Sequence, residues 1–274
     1  RLAEGGMATL WRARIDGEAH PVVLKTMLPH LARHPEIAAM FAREASLSAR
    51  LAHPNIVPVH DLGILRGRPF IEMPLVEGPN LRQLLRAHLR ARRPFPAKLA
   101  LAACADASDA LAYLHDFSSE DGEPEGLVHR DVSPENLLLG VDDGRTRLLD
   151  FGVATSEVAT WTRVGQLKGK LHYMAPETFK GVSSGAGRDV FALGVSLYEL
   201  VAGRRPFRAK TEAELMYAIS EGQYPRLSDL RGDIPGALVE LVHRALSPTP
   251  EARGSALRFG DDARAVLAEL GVDD

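Results

Sequence analysis

The sequence predicts a mixed α+β chain in two unequal parts. Residues 1–73 form a small β-rich part with one main helix, and residues 78–274 a larger, mainly helical part. Three observations predict this. Short apolar runs bounded by turn residues, such as Pro21-Val22-Val23-Leu24-Lys25 and Pro69-Phe70-Ile71-Glu72-Met73, fall in the first part and read as strands. Longer stretches with apolar residues at helical spacing dominate the second. Between them Pro74-Leu75-Val76-Glu77-Gly78 breaks both patterns, and residues 74–77 read as a stiff linker.

Composition narrows the classes of function. The chain is 45% hydrophobic and 25% charged, ordinary values for a globular protein, and its 274 residues suit one large domain or two lobes. A net charge of -3 gives no electrostatic case for nucleic acid or an anionic membrane surface. The single cysteine, Cys104, excludes an intrachain disulfide framework and fits a reducing compartment. It lies in an alanine-rich helical run, where a packed thiol is the expectation. No apolar run is long enough to span a bilayer, so no membrane contact is expected from this segment. The chain opens on Arg1, directly before a glycine turn, and is read as a segment excised from a longer protein.

Taken in order, Leu2, Ala3, Glu4, Gly5, Gly6, Met7, Ala8 and Leu10 sit where a hairpin can form. Small residues at 3, 5, 6 and 8 let backbone N–H groups approach phosphate oxygens, although a plain hairpin turn explains them equally well. Val23 and Lys25 belong to the next strand; a lysine at a strand end is by default a solvated surface group. Residues 36–51 carry helical periodicity through Ile37, Met40, Phe41, Ala45, Leu47 and Leu51, with Glu44 on the same helix. His53-Pro54-Asn55-Ile56-Val57 should end that helix and open a strand.

Residues 79–115 read as mainly helical, with Leu81, Leu84, Leu85 and Leu89 in one stripe. Residues 117–126 are a polar surface loop. Then come His129-Arg130-Asp131-Val132-Ser133-Pro134-Glu135-Asn136 and, beyond Leu138, Leu148-Leu149-Asp150-Phe151-Gly152. The first stretch can hold a base and a metal ligand, the second a further metal ligand just past a buried strand. Residues 153–174 carry few regular signals and end at Ala175-Pro176-Glu177. An apolar helix starts at Asp189 and ends near Gly203, and Pro250-Glu251-Ala252-Arg253 follows later.

These motifs, in this order, resemble the catalytic domain of eukaryotic-type serine/threonine protein kinases, and their wording resembles the bacterial members. The resemblance covers essentially the whole chain and implies a bilobal protein-kinase fold, with ATP in the cleft between the lobes. It implies ATP contacts from Leu2, Ala3, Glu4, Gly5, Gly6, Met7, Ala8, Leu10, Val23, Lys25, Met73, Leu75 and Leu138. Lys25 would hold the nonreacting phosphates and Glu44 would orient it. Asp131 would accept or orient the substrate hydroxyl, while Asn136 and Asp150 would hold Mg²⁺, with Mn²⁺ as the alternative ion. Phe151, Asp189 and the pair Glu177 and Arg253 would be structural. A phosphate on Thr155, Ser156, Thr160 or Thr162 would face Arg130, although ordinary loop polarity explains each hydroxyl alone. The implied partners are ATP and protein substrates, including the kinase itself, with no nucleic acid; the implied location is the cytoplasm, with any membrane anchor left to flanking segments.

Three departures qualify the match. Ala3 and Ala8 stand where the family has glycines. Thr249 stands where it usually has an aspartate. Ser133 occupies the place of the lysine that follows the catalytic aspartate, while Lys170 occupies that of a threonine whose side chain meets it. The expectation is an exchange, with the cation supplied by Lys170 and the hydroxyl by Ser133, because a cation contributes most where transition-state charge develops. Two other readings stay open: a nucleotide-binding pseudokinase or scaffold, favoured by Ala3, Ala8 and Ser133, and a small-molecule kinase, opposed by the Ala175-Pro176-Glu177 segment.

Overall fold

The computed structural model describes residues 1–17, 20–119, 121–149, 169–181 and 185–271. The N-terminal lobe is a five-stranded antiparallel sheet in the order β1-β2-β3-β5-β4. Its strands are β1 (Ala3–Glu4), β2 (Ala8–Ala13), β3 (Val22–Met27), β4 (Asp61–Leu65) and β5 (Arg68–Pro74). One helix, α1 (Pro35–Ser48), starts on a proline, whose missing N–H costs nothing in the first turn. Phe41 and Ala45 of α1 bury against Ala8, Met27, Leu31 and Ile71, closing the small core between helix and sheet.

Two expectations change here. The periodic run over 36–51 is not all helix: α1 stops at Ser48, and Leu51 packs into the core of the other lobe. The segment after it opens no strand at Asn55. It is instead the strap that ties the lobes together. Asn55 Nδ2 donates to the Thr146 carbonyl at 3.0 Å, Leu148 N–H donates to Asn55 O at 2.8 Å, and Val57 N–H donates to Leu148 O at 3.2 Å. The His53 ring stacks on Tyr113, with centroids 5.2 Å apart. Periodicity shows that Leu51 and Ile56 want burial, but not which core takes them.

The C-terminal lobe holds the larger core. Helix α2 (Leu81–Arg90) begins with a capping box between Asn80 and Gln83 and buries Leu81 and Leu85; Leu89, from the same stripe, is exposed. Helix α3 (Ala97–His115) packs along α5 (Gly187–Ala202) and α9 (Ala256–Glu269). Its alanines permit close approach. At the contact a Cβ on Gly260 would sit 2.2 Å from Ser108 Oγ, so a side chain there would displace that hydroxyl from its bond to Ala105 O. Helix α5 is buried on nearly every face and ends at Gly203 with φ 70, the left-handed cap that glycine supplies without strain. Cys104 is fully buried and its thiol is pushed up by desolvation, which makes it an inert core group.

Between α3 and α5 lies a two-stranded antiparallel ribbon, β6 (Leu137–Leu139) and β7 (Thr146–Leu148). A 3₁₀ turn (Leu171–Tyr173) and the short α4 (Pro176–Phe179) follow. Helices α6 (Glu212–Ser220), α7 (Gly236–Ala245) and α8 (Pro250–Arg253) complete the lobe. Among the described residues no helix is long and apolar enough to cross a membrane.

Candidate active site

The site is assembled on the loop from His129 to Asn136, between α3 and β6. Asp189, in the first turn of α5 and 1% exposed, accepts from the backbone N–H of His129 on Oδ2 and of Arg130 on Oδ1, both at 2.8 Å. His115, at the end of α3, reaches the same carboxylate at 2.9 Å. One buried acid thus organises the loop. These bonds hold Arg130 at φ 66, a conformation that costs a non-glycine residue about 1–2 kcal/mol and that aims the next residue, Asp131. The His129 ring is locked as well. Its Nδ1 accepts from Asp131 N–H at 3.3 Å, so Nε2 carries the proton and donates to Leu149 O at 3.0 Å.

Asp131, Asn136 and Lys170 come together. Asn136 Nδ2 donates to the Asp131 backbone carbonyl at 2.7 Å and to its Oδ2 at 3.0 Å. Lys170, 39 residues along the chain, places Nζ 2.6 Å from the same Oδ2. Among the described residues both side-chain contacts fall on Oδ2, which leaves Oδ1 to meet an incoming hydroxyl. Ser133 is buried close by in sequence, but the described residues give its hydroxyl no hydrogen bond. The structure thus gives Lys170 a contact with Asp131 and, among the described residues, gives the Ser133 hydroxyl none.

In the N-terminal lobe, Lys25 Nζ lies 3.1 Å from Glu44 Oε1, and both side chains are about nine-tenths buried. Glu44 is not the solvent-facing charge that a lone glutamate usually is. Strand pairing sets Leu10 and Ile71 on either side of Lys25, and Val23 opposite Met73. A hollow of about 20 Å³ behind Met73 is lined by Lys25, Glu44, Ser48, Val57, Val59 and Ile71. Leu2, Ala3, Glu4, Gly5, Gly6, Met7 and Ala8 make up the β1–β2 hairpin and its turn, closed by Gly5 N–H to Ala8 O at 2.9 Å. A Cβ on Gly5 would meet nothing nearer than that oxygen, at 3.8 Å, so the hairpin itself does not demand glycine there.

The linker is fastened to β6, since Leu139 N–H donates to Pro79 O at 3.0 Å and Val141 N–H to Glu77 O at 2.9 Å. Leu75 on the linker and Leu138 on β6 are half-buried. Gly78, at φ 153, is a site residue that the sequence reading passed over: a Cβ there would lie 1.9 Å from Leu139 O.

The chemistry of the described donors fits a hard divalent cation. Asn136 commits both amide hydrogens to Asp131, so its Oδ1 is the atom left for a metal. Asp150 and Phe151 lie outside the described residues, as do Thr155, Ser156, Thr160 and Thr162. Leu149, the last described residue before them, is pinned to the loop by its N–H to Asn136 O at 2.9 Å and by its carbonyl to His129.

Farther out, Arg253 makes two bonds of 2.7 Å to the Glu177 carboxylate and stacks 4.9 Å over the Phe191 ring. It also donates to the carbonyls of Ser247 and Gly187. Sequence reasoning missed a second buried pair. Arg82 holds both oxygens of Glu199, at 2.6 and 3.0 Å, and Tyr173 donates to Glu199 Oε2 at 2.5 Å. Desolvation and the Glu199 charge push the Tyr173 phenol up, so it stays protonated as a donor. Arg82 N–H in turn donates to Pro134 O at 2.9 Å, tying this cluster to the catalytic loop.

Known proteins agree with this geometry. The family model described as protein kinase domain matches residues 1–262. The chain is 40% identical over 274 residues to a protein named tyrosine-protein kinase MasK from Myxococcus xanthus, covering 98% of this chain and 42% of that one. It is 33% identical over 279 residues to serine/threonine-protein kinase PknL of Mycobacterium tuberculosis, covering all of this chain and 66% of that one. It thus spans less than two thirds of the length of these relatives. The crystal structure of the Mycobacterium tuberculosis PknI kinase domain superposes with a TM-score of 0.72 at 30% identity, over 97% of this chain and 93% of that one. Kinases of this kind use ATP, a divalent metal ion and protein substrates. With its motifs in order and the family model matching nearly its whole length, the chain belongs to the protein kinase domain family.

Proposed function

We propose that this chain transfers the γ-phosphate of Mg²⁺-ATP to serine and threonine hydroxyls of proteins, itself included. The observation that carries the reading is the convergence of Asn136 and Lys170 on one oxygen of Asp131, alongside a buried Lys25–Glu44 pair in the N-terminal lobe. Phosphoryl transfer needs positioning and charge stabilisation more than covalent help. Lys25, oriented by Glu44, holds the nonreacting phosphates. Asp131 Oδ1 accepts from the acceptor hydroxyl and aligns it for attack. Lys170 brings its ammonium to the phosphoryl group as charge builds there. The Mg²⁺ held by Asn136 and Asp150 offsets the triphosphate charge when bound. Retention of this whole set opposes the pseudokinase reading, in which Ala3 and Ala8 would mark a weakened phosphate loop. A buried, unpaired cysteine supports residence in a reducing compartment, the cytoplasm.

Serine/threonine preference rests on Pro134-Glu135-Asn136, which resembles serine/threonine kinases, and on the name of PknL. The name of MasK favours tyrosine instead. Incubating the chain with γ-labelled ATP and a mixed peptide pool, followed by phosphoamino-acid analysis, decides between them. Phosphoserine and phosphothreonine are expected, absent in Asp131→Asn. Mainly phosphotyrosine would overturn the specificity, and no transfer at all the activity.

A further inference from the structure

Composition and turn residues mark 117–126 only as a polar surface loop. In the structure its described residues, 117–119 and 121–126, fold into a small hairpin between α3 and the catalytic loop. The legs pair through Ser118 and Pro124, with Glu125 N–H donating to Phe117 O at 2.9 Å and Ser119 N–H to Glu123 O at 2.8 Å. Gly122, at φ 83, turns the chain, and its N–H closes on Ser119 O at 2.9 Å. Beyond the second leg, Leu127 N–H donates to Leu114 O at 3.0 Å, which fixes the hairpin to the end of α3.

This hairpin of the C-terminal lobe grips the C-terminal end of α1. Glu125 takes Arg50 in a two-point pair, Nη2 to Oε1 at 2.6 Å and Nη1 to Oε2 at 3.2 Å. The same guanidinium lies 5.2 Å over the Phe117 ring. A guanidinium suits both contacts, since its planar fork matches a carboxylate and stacks on an aromatic face. Arg50 lies just past α1, and its N–H still donates to Leu47 O at 3.1 Å, while Ser48 Oγ donates to Glu44 O at 2.7 Å. The pair is thus under about two helical turns from Glu44, on the helix that sets Glu44 against Lys25.

We propose that the hairpin is a brace for α1, with Arg50 and Glu125 as positioning residues that hold the helix to the C-terminal lobe and so keep Glu44 on Lys25. Their action is on the helix, not on nucleotide. When α1 moves away, Lys25 parts from the carboxylate that orients it, and fewer molecules hold the phosphates productively. The side chains are 39% exposed for Arg50 and 27% for Glu125, so the pair biases the helix modestly and salt screens it. It therefore tunes the position of α1 and leaves the fold to the two cores. The effect on turnover rests on the kinase reading; the effect on the helix does not.

The test compares the full chain with Arg50→Gln, with Glu125→Gln, with both together, and with the charge reversal Arg50→Glu plus Glu125→Arg. Each single change should lower kcat/KM for ATP about three- to tenfold, the reach of a two-point, partly exposed pair stacked on a ring. The double change to glutamine should be no worse than either single, and the reversal should recover most of the loss. Raising salt should bring the parent down toward Glu125→Gln, which itself should respond less. Hydrogen exchange read by mass spectrometry follows the helix without turnover: amides of α1 should exchange several-fold faster in both single variants, and those of α9 at the parent rate. Unchanged kcat/KM in a working kinase, or unchanged exchange in α1, overturns the brace. Uniformly faster exchange along the whole chain makes the pair a general stabiliser and overturns it as well. Faster exchange confined to α1 and restored by the reversal, with no peptide phosphorylated by any of the proteins, upholds the brace and overturns the kinase reading instead.

Discussion

Lys170 Nζ stands 2.6 Å from Asp131 Oδ2, although Lys170 belongs to the segment before Ala175-Pro176-Glu177 and Asp131 to the catalytic loop. A cation therefore reaches the acidic centre from the side opposite the loop, whose own position for one is filled by Ser133. Lys170 is half-exposed, so of the two charges only Asp131, 17% exposed, is largely withdrawn from solvent.

Lys170→Met should lower kcat about ten- to a hundredfold, below the effect of losing a fully enclosed transition-state donor because solvent screens this one. Nucleotide affinity should change little, since Lys25 and not Lys170 holds the nonreacting phosphates. Ser133→Lys combined with Lys170→Thr should recover much of the rate. Steady-state kinetics beside nucleotide binding by calorimetry checks both; unchanged kcat in Lys170→Met removes the lysine from the mechanism.

Asp189→Ala should cost more than any one catalytic residue. It strips the acceptor from two backbone N–H groups and from His115 at a position 1% exposed. Each orphaned buried donor costs about 1–3 kcal/mol. Arg130 would also lose the bond that keeps its φ positive. A large fall in thermal midpoint together with loss of turnover is expected, and a stable, active variant would show that the loop holds itself.

The sequence made the chemistry legible and the packing less so. Lys25, Glu44, Asp131 and Asn136 are readable because each must be one residue type at one place in an ordered series, and Lys170 because it departs from that series. Leu51 and Ile56 were misplaced because a periodic apolar residue declares that it will be buried, not which lobe will cover it. The pairing of Arg82 with Glu199 spans 117 residues and that of His115 with Asp189 spans 74, and neither leaves a local trace. Gly78 looked like ordinary loop punctuation. Only the approach of the Leu139 carbonyl shows why no side chain fits there.

Gly78→Ala should therefore act on nucleotide binding without touching the catalytic loop. Its Cβ would collide with a backbone oxygen at 1.9 Å, so linker and β6 must part. Leu75 of the linker and Leu138 of β6 would then shift with the segments that carry them. The expected result is a raised KM for ATP, several-fold or more, with kcat at saturation less affected. An unchanged KM would mean that the junction relaxes freely.

His172 gives a pH dependence of defined sign. Desolvation, then the Arg205 charge, holds its imidazole below its ordinary 6.5, with the bond to the Phe207 carbonyl and the Glu199 charge opposing and Arg82 adding to the effect. The ring is thus neutral when folded and takes a proton more readily when unfolded. Its contribution to stability is present above 6.5 and is lost as pH falls through the lower folded value. His172→Gln should flatten part of the decline in thermal midpoint between pH 7 and pH 5, and identical slopes in the two proteins would refute the assignment.

Arg253 and Glu177 are the harder case, because a buried ion pair is weak evidence for stability until one partner is removed. Both are nearly inaccessible, and two bonds of 2.7 Å join them in the geometry a guanidinium shares with a carboxylate. Glu177→Gln leaves Arg253 charged among carbonyls with no counter-ion, so a loss of about 3–5 kcal/mol is expected by denaturant unfolding. Arg253→Lys should lose nearly as much, since one ammonium cannot span both oxygens and also reach the Ser247 and Gly187 carbonyls. Replacing both by uncharged residues, Glu177→Gln with Arg253→Met, should be milder than either single change if the loss comes from a stranded charge. If the double variant is as unstable as the sum of the singles, the pair acts instead through its contacts with the ends of α5 and α8, and its charge is incidental.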